Sequence, residues 1–287
     1  MEKLKNSMIS KKFEKKINFI HDVKKFAEDL GIEFDGSFED VVLDEKYFYW
    51  VIVSERNSLN PPEDYGIGYL FFKDKKEDAE RFKDYLNEEG YDSMVYRAEA
   101  YGRGKCPITK ALLESSKERI SYAVIHEGFH DHLKVKNVKI PLEVEEPLAD
   151  YVGLMGSLMF FKKEGLDTRR VRSGIEEYNL FSGFVNKYHD LLEEYYEKNE
   201  SGHDGEKILE AARNKLSSLK GRLKNLDAAF KFPINNAFFF YFRNYTKNWP
   251  IVREYMKNVG IKRLLNDTEK VSEEILDMDG IWIYQER

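Results

Sequence analysis

Cysteine and long apolar runs are scarce in this sequence. Cys106 is the only cysteine, so the chain cannot form an internal disulfide and carries no sign of an oxidising compartment. The most apolar run, residues 235–242, is too short to span a bilayer. The N-terminal segment MEKLKNSMISKKFEKK is too charged for a secretory signal. We therefore expect a soluble, cytoplasmic protein that makes no membrane contact.

An excess of basic charge is also lacking. The chain has 46 Lys plus Arg against 52 Asp plus Glu, which gives a net charge of −6. No basic stripe interleaved with aromatic residues is present, so we do not expect nucleic-acid binding. The 287 residues are 42% hydrophobic, which is typical of a folded globular protein with one large domain or two small ones.

The hydrophobic patterns predict an α+β protein that is predominantly α-helical. Phe13, Ile17, Ile20, Val23 and Ala27 recur at helical spacing, and Gly31 follows as a C-cap. Strands are predicted at 46–54, 66–72 and 91–101, with a helix at 76–90. After residue 107 the pattern is helical, with helices predicted at 107–116, 118–135, 146–165, 167–198, 206–229, 233–248 and 250–259. The expected organisation is a small β-containing N-terminal part, residues 1–105, and a helical body, residues 106–287, which could also form one continuous domain.

The segment YAVIHEGFHDHL, residues 122–133, concentrates histidines and acids in an apolar helix. His126 and His130 are four residues apart, about 6 Å along the helix axis on one face, so both imidazoles can bind one ion. Glu127 lies at the flank of that face, where it can reach a water molecule at the metal and act as general base. This is the HExxH arrangement of zinc enzymes.

A catalytic zinc ion needs a third protein ligand, and EVEEPLADYVG, residues 143–153, offers three glutamates. Pro147 is tolerated best in a first helical turn, so we expect a helix to start at Glu145 or Glu146. Only Glu146, unlike Glu143 and Glu145, has a carboxylate four residues later, namely Asp150. A ligating histidine usually donates its other N–H to a carboxylate. We therefore predict Glu146 as the third ligand and Asp150 as that acceptor.

Two alternatives bear on this cluster. His132 lies about 200° around the helix from His130, so we expect a partly exposed histidine that does not bind the ion. The two ligand histidines could also be hydrogen-bonded core residues, with the glutamates forming a solvated helix start. The ExxxD spacing downstream makes the metal site the favoured interpretation.

HEGFH followed by EPLAD resembles the HExxH…ExxxD pattern of thermolysin-like zinc peptidases, the gluzincins. The closer resemblance is to a family of predicted zinc aminopeptidases and covers roughly residues 20–265. It is carried by FAEDLGIEF, YWVIVS, GIGYLFF, GYDSMVYRAEAY, VEEPLADYVG and NNAFFFYFRNY, in that order. The chain departs from the family at the loop GRGKCPIT, and Glu145 stands where the family often has Asn.

The resemblance implies a gluzincin-like helical body and adds three kinds of candidate residue. Tyr245 would donate a hydrogen bond to the oxyanion, or it is an ordinary core or surface tyrosine. The strand that contains Tyr96 and Ala98 would pair with an extended substrate, or it is an ordinary edge strand. Asn235 and Asn236 would hold the substrate backbone, or they cap the helix that follows Pro233, which is slightly favoured.

These observations predict a zinc metallopeptidase with one Zn²⁺ that hydrolyses a peptide or protein substrate. That it is an aminopeptidase follows from the family resemblance alone. The alternative is a non-catalytic zinc-binding protein with an interaction or regulatory role on a peptidase-like fold. The intact Glu127 favours the enzyme, because a purely structural metal site needs no base. The sequence does not predict an oligomeric state.

Overall fold

The computed structural model describes residues 2–43, 48–73, 75–98, 105–199, 205–224, 226 and 230–285. This part of the chain is predominantly helical with a small sheet component, so the predicted α+β class is confirmed at that level. Its helices are α1 (Glu2–Leu30), α2 (Lys76–Glu88), α3 (Lys110–Glu114), α4 (Lys117–Lys136), α5 (Leu142–Lys163), α6 (Arg169–Lys198), α7 (Glu206–Leu219), α8 (Asn236–Thr246), α9 (Trp249–Asn266) and α10 (Thr268–Gln285).

The described strands form two small sheets. Strands β2 (Phe48–Ser54), β3 (Tyr69–Lys73) and β4 (Asp92–Ala98) form an antiparallel sheet in the order β3-β2-β4, with Val51 opposite both Leu70 and Val95. Strand β4 is therefore an edge strand of this sheet among the described residues. The short strands β1 (Val41–Val42) and β5 (Ile108–Thr109) pair in parallel. Residues 46, 47 and 99–101 of the predicted strands lie outside the described residues.

By contact, the chain divides into two compact units, each assembled from separate segments. The first comprises residues 1–45, 99–172 and 248–287, and the second comprises residues 46–98 and 173–247. The predicted division at residue 105 stays a prediction. In the part of the chain that the structure describes, no helix is both long and apolar enough to cross a membrane.

The first unit is built around α4 and α5. Helix α1 packs against α4, while α9 packs against α5 and α10. The carboxyl end of α1 follows the sequence prediction. Gly31 has φ of +106° and its N–H donates to the carbonyl of Glu28, while Ile32 N–H donates to the carbonyl of Ala27, 3.0 Å away. A glycine tolerates this left-handed geometry without a Cβ clash.

The second unit buries both faces of its three-stranded sheet because β2 alternates. Tyr49, Val51 and Val53 pack with Ala79 and Leu86 of α2 on one face. Ile52 points to the opposite face, into an aromatic-rich core contributed largely by α6, α7 and α8.

Several predicted boundaries are wrong. Helix α5 begins at Leu142 and not at Glu145 or Glu146, so Pro147 lies inside the helix. Helices α3 and α7 are shorter than the predicted 107–116 and 206–229. Helix α9 continues to Asn266 across a kink at Gly260, whose φ is +75°, and α10 has no counterpart among the predicted elements.

Candidate metal centre

Helix α4 carries the HEGFH segment and is held close to α5 by two glycines of α5. A Cβ added at Gly153 would lie 3.0 Å from Cδ2 of Tyr122 and 3.1 Å from Cβ of His126. A Cβ at Gly156 would lie 2.9 Å from Cγ2 of Ile125. These are closer than ordinary van der Waals contacts, so larger side chains would separate the helices and move His126 away from α5.

His126, His130 and Glu146 form a group that could hold a metal ion. Nε2 of His126 lies 3.2 Å from Nε2 of His130 and 3.6 Å from Oε2 of Glu146, and the His130–Glu146 separation is 3.8 Å. In the plane of these three atoms, the point equidistant from them lies about 2.1 Å from each. This is the length of a bond from zinc to nitrogen or oxygen. The donor set and its size therefore fit one such ion.

The carboxylate of Glu146 supports the same fit. Its Oε2 atom is buried and has no hydrogen-bond partner within the described part of the chain. A buried carboxylate oxygen without a partner is costly in a folded protein. Burial raises the pKa of Glu146, while the two neighbouring histidines act in the opposite direction. A cation at the equidistant point would give this oxygen the partner it lacks.

The far side of His126 faces Asp150, the residue predicted to orient it. Nδ1 of His126 lies 3.1 Å from Oδ1 of Asp150 and 3.3 Å from the hydroxyl of Tyr122. That hydroxyl donates a hydrogen bond to the same carboxylate oxygen. Burial, reinforced by the charge of Asp150, raises the pKa of Tyr122 well above its usual value, so the phenol stays a donor. This carboxylate leaves Nε2 of His126 directed at Glu146.

The far side of His130 faces Glu145, a residue that the sequence analysis considered only as a rival ligand. Nδ1 of His130 lies 2.7 Å from Oε1 of Glu145. Burial alone would lower the pKa of His130, but the hydrogen bond to Glu145 and the charges of Glu146 and Glu127 outweigh it and raise the pKa to about 9. The raised pKa means that His130 keeps a second ring proton at neutral pH. A bound metal ion would replace that proton, since a ligating imidazole is neutral.

The sequence reasoning does not identify two partners of the candidate ligand histidines, Glu145 and Tyr122. A signal for each was present. A ligating histidine requires an acceptor for its second N–H, and Glu145 is the carboxylate next to the predicted ligand. Tyr122 lies four residues before His126 and therefore on the same helical face.

The opposite face of α4 is fixed by the segment after α1. Asp131 accepts a hydrogen bond from the N–H of Asp35 at 2.9 Å. His132 accepts from the N–H of Glu33 at 3.2 Å, and its Nε2 lies 3.0 Å from the carbonyl oxygen of Leu265. His132 is only 1% exposed, so the expectation of a partly exposed histidine is wrong. It is a buried anchor, and both of its ring nitrogens face backbone groups away from the three candidate ligands.

The glycine of HEGFH belongs to this anchoring. A Cβ at Gly128 would lie 2.6 Å from two atoms of the Phe34 ring and 3.3 Å from Cγ2 of Ile32. The chain segment 32–35 therefore lies directly against α4 at this point. Two residues of this segment donate backbone hydrogen bonds to Asp131 and His132, which directly follow HEGFH. These contacts explain why polar residues continue beyond the motif.

Glu127 is half-buried, between the two histidines in sequence. Its charge acts on both His130 and Glu146. Of the carboxylates around the three candidate ligands, Glu145 and Asp150 each have a histidine partner, whereas Glu127 is not part of either pair.

The remaining candidates lie in the second unit. Tyr245 is on α8; its hydroxyl lies 3.5 Å from that of Tyr241, and its carbonyl accepts from the hydroxyl of Tyr178. Tyr96 on β4 packs against Phe232 and Tyr241, with Ala98 two residues farther along the strand. The catalytic role of Tyr245 and substrate pairing at Tyr96 and Ala98 stay predictions.

The capping interpretation is confirmed for Asn235 but not for Asn236, which is the first residue of α8. Asn235 is the N-cap of α8 and accepts from the N–H of Phe238 at 3.1 Å. Asn236 is fully buried, and its side-chain amide donates to the carbonyls of Glu55, Arg56 and Ser58. Their substrate-binding role stays a prediction.

A second histidine and carboxylate group occurs in the second unit. His189, Asp190 and Glu193 have ligand atoms close enough to hold an ion. Arg243, however, already pairs with Asp190 at 2.9 Å. Nδ1 of His189, like Oε2 of Glu146, is buried and has no hydrogen-bond partner in the described residues. The first group is the stronger candidate because its atom without a partner belongs to a carboxylate, which a cation would neutralise, whereas in the second group a guanidinium already supplies the positive charge.

The chain matches a known protein family over most of its length. Residues 1–275 match the family described as "Putative aminopeptidase". No curated protein and no solved structure matches the chain. The matched range covers the whole of α4 and α5, and with them every residue of the candidate metal centre.

Proposed function

The chain belongs to this aminopeptidase family, and from that premise we propose that it is a zinc-dependent peptidase of the gluzincin type that acts as an aminopeptidase. The observation that carries the proposal is the arrangement of His126, His130 and Glu146 around a point about 2.1 Å from three ligand atoms. The buried Oε2 of Glu146, without a partner in the described residues, supports it.

The two histidines and Glu146 would hold one Zn²⁺, which leaves one coordination position open for chemistry. When bound, the ion would polarise the attacking water and the scissile carbonyl. Asp150 and Glu145 keep the imidazoles of His126 and His130 directed at the ion by accepting from their Nδ1 atoms. Because both partners are carboxylates, they also increase the basicity of the two ligands.

Glu127 is the proposed general base. Glu127 directly follows His126 in the HExxH arrangement, in which the glutamate would reach a water molecule held at the metal, and its charge is felt by both His130 and Glu146. It takes a proton from the attacking water and passes it to the leaving amine. Tyr245 is the proposed donor to the oxygen that becomes negatively charged in the transition state. The substrate would be a peptide or protein with a free N-terminus.

Zinc content and peptide turnover of the wild type and Glu127→Gln test this proposal. We expect one zinc ion per chain in both proteins. Loss of the general base should lower kcat by a factor of roughly 10²–10⁴ while the zinc content is retained. Asp190→Asn, which alters the other candidate group, is a control expected to leave both values unchanged.

The outcome also separates the enzyme from a non-catalytic zinc protein. If the wild type holds zinc but cleaves no member of a broad peptide library, the peptidase proposal is wrong and the metal has a structural or regulatory role. If Glu127→Gln is as active as the wild type, the assigned base is wrong.

A further inference from the structure

Helix α5 contains a proline immediately after the proposed metal ligand Glu146. Pro147 has no backbone N–H, so it cannot donate to the carbonyl of Glu143, which is the α-helical partner of position 147. The proline ring also crowds that carbonyl. The turn that carries Glu145 and Glu146 is therefore missing a normal helical hydrogen bond.

Asn248 supplies a donor to that carbonyl. Its Nδ2 atom lies 2.9 Å from the carbonyl oxygen of Glu143, although the two residues are 105 positions apart in the sequence. Asn248 is fully buried and belongs to the same compact unit as α5. Turning the amide over would place its oxygen against the carbonyl oxygen of Glu143, so the contact requires the donor orientation.

The position of Asn248 makes this contact unusual. Asn248 is the N-cap residue of α9, where an asparagine side chain normally accepts a hydrogen bond from the first turn of its own helix. Its side chain makes no such bond with any described residue of α9 and instead crosses to α5. The amide thus donates to α5, which carries Glu146, and not to α9, the helix that Asn248 begins.

We propose that Asn248 is a positioning residue for the metal ligand Glu146. By holding the carbonyl that Pro147 cannot hold, the amide fixes the turn between Glu143 and Pro147. That turn carries Glu145, which lies 2.7 Å from Nδ1 of His130, and Glu146, whose Oε2 faces both histidines. The inference rests on the metal site of the proposed function and concerns how that site is held.

The proline gives the test a built-in rescue. Replacing Pro147 with alanine restores a backbone N–H that can donate to the carbonyl of Glu143, and it makes the amide of Asn248 redundant. Asn248→Ala should therefore weaken zinc binding in the wild-type background and have little effect beside Pro147→Ala. A residue that only fills the core would weaken both backgrounds equally.

Zinc dissociation constants are measured by chelator competition for the wild type, Asn248→Ala, Pro147→Ala and the double variant. We expect Asn248→Ala to weaken binding about tenfold, and the double variant to bind within about threefold of Pro147→Ala. Thr268→Val is the matched control. It removes another buried bond from a side chain to a backbone carbonyl, 2.7 Å to Leu264, and should leave zinc affinity unchanged.

The inference is overturned if Asn248→Ala binds zinc as tightly as the wild type. It is also overturned if Asn248→Ala still weakens zinc binding tenfold in the Pro147→Ala background. Should Asn248→Ala not fold, the comparison of Pro147→Ala with the double variant still decides, because a tenfold difference between them is incompatible with redundancy. If the wild type binds no zinc, the proposed function fails first. The inference then depends on amide hydrogen exchange around Glu146, which Asn248→Ala should accelerate in the wild-type background but not in the Pro147→Ala background.

Discussion

Gly153 controls how closely α5 approaches α4, the helix that carries His126 and His130, and Gly153→Ala tests that role. The added Cβ would lie 3.0 Å from the ring of Tyr122 and 3.1 Å from Cβ of His126. Both neighbours would have to move by a few tenths of an ångström, and both belong to the group that directs His126 at the proposed metal site. A shift of this ligand and its partner should weaken zinc binding about tenfold, as removal of an outer partner does.

The effect on stability can be worked out from two opposing contributions. Alanine in a helix interior gains about 1 kcal/mol over glycine, whereas overpacking a buried site costs about 1–3 kcal/mol. Gly153→Ala should therefore leave the free energy of unfolding unchanged or lower it by up to about 2 kcal/mol. Gly183→Ala in α6 is the control, because an added Cβ there meets nothing within 4 Å among the described residues and should stabilise the protein by up to about 1 kcal/mol.

Chelator competition and urea denaturation of the metal-free protein measure the two quantities. The reasoning predicts weaker zinc binding for Gly153→Ala and unchanged binding for Gly183→Ala. If Gly153→Ala bound zinc as tightly as the wild type and were stabilised as much as the control, the close approach of the helices at this glycine would be refuted.

Four further outcomes follow from the contacts. Asp150→Ala should weaken zinc binding about 10–100-fold by chelator competition, and Asp150→Asn, which keeps an acceptor, should lose less zinc affinity. If both variants bound zinc as tightly as the wild type, the role of the contact with His126 would be contradicted. His132→Ala should lower the free energy of unfolding by about 2–3 kcal/mol in urea, through two lost buried contacts, while a tenfold change in zinc affinity would contradict its purely anchoring role. Tyr245→Phe should lower kcat for peptide cleavage by roughly 10²–10³ with zinc affinity retained, and an unchanged kcat would remove it from the mechanism. Zinc at 100 times its dissociation constant should stabilise the protein by about 2.7 kcal/mol in thermal denaturation, and a shift that persists in His126→Ala would point to another site.

The grouping of the three candidate ligands could be predicted because it depends on short-range spacing. His126 and His130 share one face of a single helix, and Glu146 with Asp150 shares one face of the next. In the structure, the candidate ligand atoms of His126, His130 and Glu146 lie within 4.8 Å of one another. Such patterns need only the helical repeat and the preference of a metal for certain donors, both of which are local properties.

The residues that hold this group in place could not be predicted in the same way. His132 was expected to be partly exposed, but Glu33 and Leu265, both distant in sequence, cover it. The start of α5 was misplaced because the rule for proline assumes that no donor replaces its missing N–H. In the structure the helix begins at Leu142, and Asn248, from a remote part of the chain, donates to the carbonyl that Pro147 leaves without its helical donor, a tertiary contact that the local rule does not include.

Anomalous X-ray scattering at the zinc absorption edge, from crystals of the protein loaded with one equivalent of zinc, tests the central claim most directly. The account predicts one peak, about 2.1 Å from Nε2 of His126, Nε2 of His130 and Oε2 of Glu146. The absence of a peak there, or a single peak at the group of His189, Asp190 and Glu193, would contradict it.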